Sequence, residues 1–391
     1  MPIYLDHAAT TPIRPSVASW YAQNSALIGN PASVHSFGQQ SRALLEEARE
    51  ELAKVLGSDR NEVVFTSGGT ESINLAIKGC FWNQRAKNPS RKLIISNSAE
   101  HHAVLESLEW LVREAGAEVY YLKLNPDGQI SLLELEQLLN ARGSEVALIS
   151  LMWANNEIGN LNPIGEVVAL AKAHSIPVHA DAIAAFSHTP INFSQSGLSM
   201  LSITGHKVGA PVGIGALIIS RDLEITPLQH GGSHERGLRS GTPDALAAKA
   251  FSLAATEAVA EIETKALEHL ALTNRLIAGV RELFPEVSLS AEDSKRLPNL
   301  VHFRFSGLLG ETLMFLLDQQ GVAVSTGAAC SAGVTEPSHV VLAIGGTEAE
   351  ANSCIRISLG YGTTQNDIDV FLKALPAALE GARRAGLVGK R

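Results

Sequence analysis

Two residues that could carry chemistry, an aspartate and a lysine, come directly after short apolar runs. Asp181 follows the run at 176–178 and Lys207 follows the run at 201–203. In an open parallel sheet, ligands bind beyond the carboxyl ends of the strands, so both side chains are candidates for a common cleft. A lysine amine can form a Schiff base with an aldehyde, whereas a structural salt bridge would use the same two residue types.

A glycine-rich segment follows another apolar run and opens a predicted helix. The run Val63–Phe65 leads into the letters TSGGTE, which include Gly69 and Thr70. Free backbone N–H groups and the helix dipole at such a position favour an anion such as phosphate. The same letters are also typical of an ordinary helix N-cap, so the segment alone is a weak signal.

Two more loops follow apolar runs and carry His101 and Asn155. A histidine in a loop is more often structural than catalytic, and the asparagine could belong to a plain turn. A lysine, an aspartate and a phosphate-binding loop at one sheet edge nevertheless match the needs of pyridoxal 5'-phosphate. The lysine binds the aldehyde, the aspartate pairs with the protonated pyridine nitrogen and the loop holds the phosphate. We favour the cofactor, since a salt bridge explains only Asp181 and Lys207.

The elements that must position these residues follow from the alternation of apolar and helical segments between 60 and 220. Short β-branched runs alternate with stretches of helical spacing, which predicts an α/β fold with a mainly parallel, seven-stranded sheet between helices. One or two long helices are predicted between Pro243 and Pro285. The segments after them predict a smaller α+β unit. It contains an apolar stretch at 300–305. Its predicted elements are strands at 322–325 and 355–359, and helices at 311–319, at 338–344 and from about 365.

Composition limits the class of protein. The chain has 391 residues, of which 45% are hydrophobic, and a net charge of −9 without a basic cluster. This favours two domains and argues against nucleic-acid binding, which needs a concentrated positive surface. No signal peptide or membrane span is recognisable, and three widely spaced cysteines favour neither disulfides nor a metal site. We therefore expect a cytoplasmic protein with no membrane partner.

The three cysteines differ in their surroundings. Cys330 lies among small residues, which favours an exposed, mobile segment and a nucleophilic role. Cys80 lies beside Phe81 and Trp82, and Cys354 begins a predicted strand. We interpret both as packing residues, because a buried cysteine behaves as a small hydrophobic side chain.

The sequence resembles cysteine desulfurases of the NifS/IscS type, in the class V aminotransferase group of fold-type I pyridoxal-phosphate enzymes. The matching motifs run almost from end to end. They are YLDHAATTP at 4–12, GNPASVHSFGQ at 29–39, FTSGGTESINLAIKG at 65–79, AEHHAV at 99–104, NNEIG at 155–159, GHK at 205–207, RGLRSGT at 236–242, STGAACSAGVTEPSHV at 325–340 and IRISLG at 355–360. The resemblance implies a large cofactor-binding domain at 14–255. Residues 1–13 and 256–391 would form the small domain carrying the cysteine loop.

The resemblance also implies roles for individual residues. Lys207 would be the Schiff-base lysine, Asp181 the pyridinium partner, and His101 a catalytic imidazole stacked on the ring. The phosphate would be held by Gly69, Thr70, Thr204 and His206, with Thr242 from the other subunit of a homodimer. Arg356 would bind the carboxylate of the substrate. Asn155 would lie beside the ring hydroxyl and also contact the substrate.

The activity that the resemblance implies is the conversion of L-cysteine to L-alanine, with a persulfide formed on Cys330. An acceptor protein, such as an iron–sulfur scaffold or a tRNA-thiolation protein, would take the sulfur. Two alternatives stay open: a selenocysteine lyase or other class V lyase, which would not need Cys330, and a weakly catalytic sulfur-relay or scaffold-binding protein.

One residue departs from the family pattern. Ala184 stands where the family usually has glutamine, three residues after Asp181. The change removes a hydrogen-bond donor to the oxygen of the cofactor ring, so we expect weaker cofactor retention unless a neighbouring group replaces it. We also expect Ala184→Gln to slow cofactor loss.

Overall fold

The computed structural model describes residues 2–327, 330–331 and 334–388, with the backbone alone at 330–331, 334–335 and 386–388. The strands are β1 (Ile3–Tyr4), β2 (Val63–Thr66), β3 (Leu93–Asn97), β4 (Glu118–Leu122), β5 (Val146–Met152), β6 (Val178–Asp181), β7 (Met200–Thr204), β8 (Gly215–Ile219), β9 (Ser288–Leu289), β10 (Leu300–Arg304), β11 (Val322–Ala323), β12 (Cys330–Ser331), β13 (Val334–Thr335) and β14 (Cys354–Ser358). The helices are α1 (Pro15–Asn24), α2 (Ser36–Leu56), α3 (Gly69–Lys87), α4 (His102–Ala115), α5 (Leu132–Arg142), α6 (Ile164–Lys172), α7 (Phe193–Ser196), α8 (Ala245–Ala260), α9 (Ile262–Leu283), α10 (Gly310–Asp318), α11 (His339–Ala343), α12 (Glu348–Ala351) and α13 (Gln365–Val388).

Seven strands form the large sheet, in the order β2-β8-β7-β6-β5-β3-β4. Strand β8 is antiparallel to both of its neighbours, while the other pairs are parallel. Both faces are covered, so strands such as β5 and β7 are buried along their whole length. The predicted α/β class and the mainly parallel seven-stranded sheet are confirmed.

One strand begins later than the sequence predicts. The run at 176–178 was expected to be extended, but β6 starts only at Val178. The N–H of Ile176 instead bonds the carbonyl of Ala171 at the end of α6, and Pro177 has no N–H to give to a ladder. Asp181 is the last residue of β6, at the end of the strand as the sequence predicts.

The smaller unit is built on a second hydrophobic core. The antiparallel sheet β14-β10-β9 and the parallel pair β1-β11 pack with α9, α10 and α13. Its largest buried side chains include Phe303, Phe305 and Phe371. The long segment after Pro243 forms two helices, and α8 packs on the first core whereas α9 packs on the second. The proposed domain boundary at 255/256 lies inside α8, and this boundary stays a prediction.

Cys80 and Cys354 are buried, as predicted. Burial raises the pKa of each thiol to about 12, so both are protonated and unreactive at neutral pH. The prediction that Cys330 is exposed concerns a side chain outside the described residues. Among the helices of the described part of the chain, none has the length and hydropathy needed to cross a bilayer.

Candidate active site

A cavity of ≈ 410 Å³ lies where the carboxyl ends of the parallel strands meet the smaller unit. Asp181 and Lys207 line it from neighbouring strands of the large sheet, while Asn299 and Arg356 line it from the second unit. Strand ends in a parallel sheet point to one edge, which is why residues distant in sequence converge here.

Lys207 ends a single 3₁₀ turn that directly follows β7. Its Nζ donates hydrogen bonds to the carbonyls of Ala8 and Ala9, the second at 2.9 Å. Burial, helped by the charge of Arg356, lowers the pKa of Lys207 to about 8, although Asp6 and Asp181 oppose the shift. The amine therefore loses its proton far more easily than a surface lysine, which suits a nucleophile or a base.

Asp181 is buried at the end of β6, beside β7. One carboxylate oxygen accepts a hydrogen bond from the N–H of Ile183 at 2.9 Å. Burial raises the pKa of Asp181 to about 6, and the nearby charge of Lys207 limits the rise. A carboxylate in this position is stabilised by a cationic partner in the cavity.

The N-terminus of α3 forms another part of the wall and is lined by Gly69 and Thr70. The helix has no side-chain cap, so its first N–H groups are available to an anion. A Cβ at Gly69 would lie 2.2 Å from the end of the Ile183 side chain, which would have to move to make room. Thr204 and His206 line the same part of the cavity.

His101 lines the cavity and is the N-cap of α4. Its Nδ1 accepts a hydrogen bond from the N–H of Ala103 at 3.1 Å, so the ring hydrogen lies on Nε2. Burial lowers the pKa of His101 to about 4, and the charges of Lys207, His102 and His339 act in the same direction. His101 is therefore a neutral imidazole that can donate from Nε2 at neutral pH.

Arg356 lies in the middle of β14 and is 5% exposed. Its guanidinium donates to a carboxylate oxygen of Asp6 at 2.7 Å and to the carbonyl of Asn156 at 2.9 Å. Its Nε is buried and has no hydrogen-bond partner among the described residues. A planar cation in a cavity wall fits the carboxylate of a small substrate.

For three of the predicted site residues, Asn155, Thr242 and Cys330, the structure does not show a side chain lining the cavity. The side chain of Asn155 bonds its own turn: its amide donates to the Ala99 carbonyl and its oxygen accepts from the N–H groups of Glu157 and Ile158. Thr242 is exposed and does not line the cavity of the single chain. The Cys330 side chain lies outside the described residues, although Ser325 and Gly327, just before it, line the cavity.

Sequence reasoning missed several residues of the wall. These are His7, His102, Asn156, Glu157, His188, Asn299 and His339. His102 and His339 come from distant segments, yet their ring centroids are 4.7 Å apart. The doubled histidine at 101–102 was a signal for one of them. No local pattern marks His188 or Asn299, because their position depends on how the two cores pack together.

The chemistry of these residues fits pyridoxal phosphate. One cavity holds a lysine amine with a lowered pKa, a buried carboxylate and an uncapped helix N-terminus, which suit an aldehyde, a pyridinium and a phosphate. Within the described residues, no group of three or more histidine, cysteine or acidic side chains could hold a metal ion.

Comparisons with known proteins agree with this chemistry. The IscS-like cysteine desulfurase of Mycobacterium tuberculosis is 45% identical over 385 residues, which is 98% of each chain. Cysteine desulfurase IscS of Dictyoglomus turgidum is 40% identical over 97% of this chain and 95% of its own. A solved structure of a NifS-like protein has a TM-score of 0.89 at 32% identity, over 97% of this chain and 100% of that chain. Residues 3–371 match the family model described as Aminotransferase class-V. The chain belongs to the class-V aminotransferase family.

Proposed function

We propose that this protein is a pyridoxal-phosphate-dependent cysteine desulfurase, which converts L-cysteine to L-alanine and leaves the sulfur on Cys330. The observation that carries the proposal is that Lys207, Asp181 and Arg356 share a cavity whose wall includes Ser325 and Gly327, at the start of the segment bearing Cys330. The similarity to two proteins named cysteine desulfurase supports it.

The cofactor would be held by residues on three sides of the cavity. Lys207 would bind its aldehyde, Asp181 its ring nitrogen, and the N-terminus of α3 with Thr204 and His206 its phosphate. When bound, pyridoxal phosphate supplies an electron-withdrawing ring that makes the bonds at the substrate Cα and Cβ easier to break. Asp181 would keep the ring nitrogen protonated, because a buried carboxylate stabilises a cation beside it.

The protein's own groups bind the substrate and move its protons. Arg356 binds the carboxylate of cysteine. Lys207, with its pKa near 8, can take the Cα proton once its amine is free. His101 is neutral and carries hydrogen on Nε2, so it can donate a hydrogen bond to a group in the cavity.

The sulfur transfer balances without an added oxidant. The Cys330 thiolate attacks the sulfur of the substrate, so a sulfur–sulfur bond forms as the carbon–sulfur bond breaks. The electron pair stays with the substrate carbon, which takes up a proton and becomes the methyl group of alanine. L-cysteine and one protein thiol thus give L-alanine and one protein persulfide, and an acceptor protein such as an iron–sulfur scaffold would receive the sulfur.

We further propose that the protein acts in the cytoplasm as a homodimer. Thr242 is exposed in the single chain and is the residue that would reach the phosphate of the second subunit. Its exposure is consistent with this role, since a residue that serves a partner's site must lie at the surface of its own subunit.

The test is incubation of the cofactor-loaded protein with L-cysteine, followed by measurement of alanine and mass spectrometry of the cysteine peptides. We expect one added sulfur on the Cys330 peptide and alanine in proportion to transferred sulfur. Cys330→Ser should retain the cofactor yet release no sulfide under reductant. Cys80→Ala, which changes a buried thiol outside the cavity, is the matched control and should behave as wild type. Sulfide release by Cys330→Ser at the wild-type rate would contradict the proposal and favour a lyase.

A further inference from the structure

His188 lies in the cavity wall at the end of the turns that follow β6. The preceding residue, Ser187, has φ of 77°, a left-handed conformation that non-glycine residues rarely adopt. Such backbone strain costs on the order of 1–3 kcal/mol and is found most often at functional sites. The strained residue directly precedes His188 in the cavity wall.

Asn299 determines which nitrogen of His188 carries hydrogen. The amide nitrogen of Asn299 donates to Nε2 of His188 at 3.2 Å and to the Leu359 carbonyl at 3.1 Å. Nε2 is therefore an acceptor, and in the neutral ring the hydrogen lies on Nδ1. Nδ1 has no hydrogen-bond partner among the described residues.

His188 is neutral over the whole physiological range. Burial lowers its pKa to about 3, and the charges of His269, His7 and Arg14 act in the same direction. A neutral imidazole with hydrogen on Nδ1 donates a hydrogen bond across the whole physiological pH range, because the ring does not titrate near pH 7.

Ala184 leaves this donor uncovered. It lies four residues before His188, and both residues line the cavity. The segment between them is a series of tight turns, in which the N–H of Phe186 bonds the Ala182 carbonyl at 2.7 Å and the N–H of His188 bonds the Ala185 carbonyl at 2.9 Å. Ala184 carries only a methyl group, so no polar side chain at 184 competes with His188 for a ligand in this cavity.

We propose that His188 donates, through Nδ1, the hydrogen bond to the anionic ring oxygen of the cofactor that Ala184 cannot supply. The inference rests on the proposed function, because it assumes that pyridoxal phosphate occupies this cavity. It makes His188 a cofactor-binding residue and Asn299 a positioning residue that fixes the tautomer. It also predicts that Ala184 does not weaken cofactor retention in the wild-type protein, which replaces the expectation from the sequence that Ala184→Gln would slow cofactor loss.

The test measures binding of pyridoxal phosphate to cofactor-free protein, and the pH at which the absorption of the loaded protein changes. A charge-assisted hydrogen bond contributes about 1.5–3 kcal/mol, so His188→Leu should weaken binding by about 10-fold or more and shift the spectral pH. His188→Gln keeps a donor and should stay within about threefold of wild type. His174→Phe, a histidine outside the cavity, is the control.

Ala184→Gln provides the decisive comparison. In the wild-type background it should change binding little, whereas in the His188→Leu background it should restore most of the lost affinity. If His188→Leu and His188→Gln weaken binding equally, or if Ala184→Gln improves binding equally in both backgrounds, His188 is not the donor. If the wild-type protein binds no pyridoxal phosphate, the proposed function itself fails, which is a different result.

Discussion

The two walls of the cavity control charge in opposite ways. On the sheet side, burial of Asp181 and partial burial of Lys207 shift their pKa values toward each other, to about 6 and about 8. On the other side, Arg356 is held by Asp6 and by the Asn156 carbonyl, so its charge is matched. Burial without full pairing produces groups that exchange protons near neutral pH, whereas pairing produces a fixed cation for binding.

Removal of Lys207 tests the sheet side most severely. Lys207→Ala should lower alanine formation by about 10⁴-fold, because proton transfer by one positioned group contributes about 10²–10⁴-fold and the covalent link is lost as well. Borohydride should no longer fix the cofactor to the protein. Lys78→Ala, on α3 but outside the cavity, should retain both properties. A reducible adduct in Lys207→Ala would place the covalent link at another residue.

A pair of amide substitutions compares two buried carboxyl groups, one in the cavity wall and one outside it. Asp181→Asn should lower kcat/KM by about 10- to 150-fold, since it replaces a charge-assisted hydrogen bond of about 1.5–3 kcal/mol. Glu100 is also fully buried but does not line the cavity, and burial raises its pKa well above the usual value. Glu100→Gln is nearly isosteric and should change kcat/KM by less than about threefold. Equal losses in both variants would show that ionisation of Asp181 is unimportant.

Substitution of Arg356 tests the opposite wall. Arg356→Ala should raise KM for cysteine by about 10- to 100-fold with a smaller change in kcat, because it removes hydrogen bonds to a charged group from substrate binding. Arg356→Lys keeps the charge but loses the planar fork and should show a smaller rise in KM. Steady-state kinetics checks the split. A fall in kcat with unchanged KM would mean that Arg356 acts on the reaction step.

The stability of cofactor-free protein offers a test of burial alone. The pKa of Lys207 falls from its usual 10.5 to about 8 in the folded protein, so the protonated amine destabilises the fold below pH 8. Lys207→Met should therefore raise the free energy of unfolding by about 2–3 kcal/mol at pH 7, and the gain should shrink as the pH rises through 8 toward 10.5.

The matched control is a second buried lysine with the opposite environment. Lys249 lies between Glu47 and Glu51, whose charges and hydrogen bonds raise its pKa above the usual value despite desolvation. Lys249→Met should lower the stability at pH 7. Denaturant unfolding at pH 7 and at pH 10 distinguishes the two cases. A gain from Lys207→Met that is the same at both pH values would rule out the titration of this amine as its cause.

The smallest expected effect comes from the partner of Arg356. Asp6→Asn removes the carboxylate that holds the guanidinium, and a partly exposed ion pair contributes about 1 kcal/mol or less. We expect KM for cysteine to rise about threefold with kcat unchanged. Asp369→Asn breaks an exposed ion pair with Arg275. Neither residue lines the cavity, so KM should stay at the wild-type value. Equal KM values for Asp6→Asn and Asp369→Asn would show that the ion pair with Asp6 does not help Arg356 to bind the substrate.

The sequence predicted the parts of the fold that local patterns determine. Apolar runs marked the strands of the large sheet, and the long proline-free segment marked α8 and α9. The first residue of β6 was misplaced, since the N–H of Ile176 bonds the end of α6 rather than a neighbouring strand. That preference depends on a hydrogen bond between two elements, which periodicity cannot show.

In the cavity, too, local sequence patterns predicted some residues, whereas others depend on contacts between distant elements. Asp181 and Lys207 were predicted because strand ends position them, and the structure brings both to the cavity. Asn299 and His188 could not be predicted, because they meet only when residues from the two cores pack together. The role of Asn155 in its own turn depends on the direction of an amide, which no residue pattern gives.

The pairing of β1 with β11 has a consequence for synthesis of the chain. Ile3 and Leu5 belong to the second core, whose remaining members begin only at Leu276. On the ribosome, the large sheet and its helices can therefore fold while the first strand waits, unpaired, for partners made near the end. A nascent chain that has exposed residues 2–260 would hold every strand of the large sheet together with α8, but it would still lack Arg356 and most of the second core.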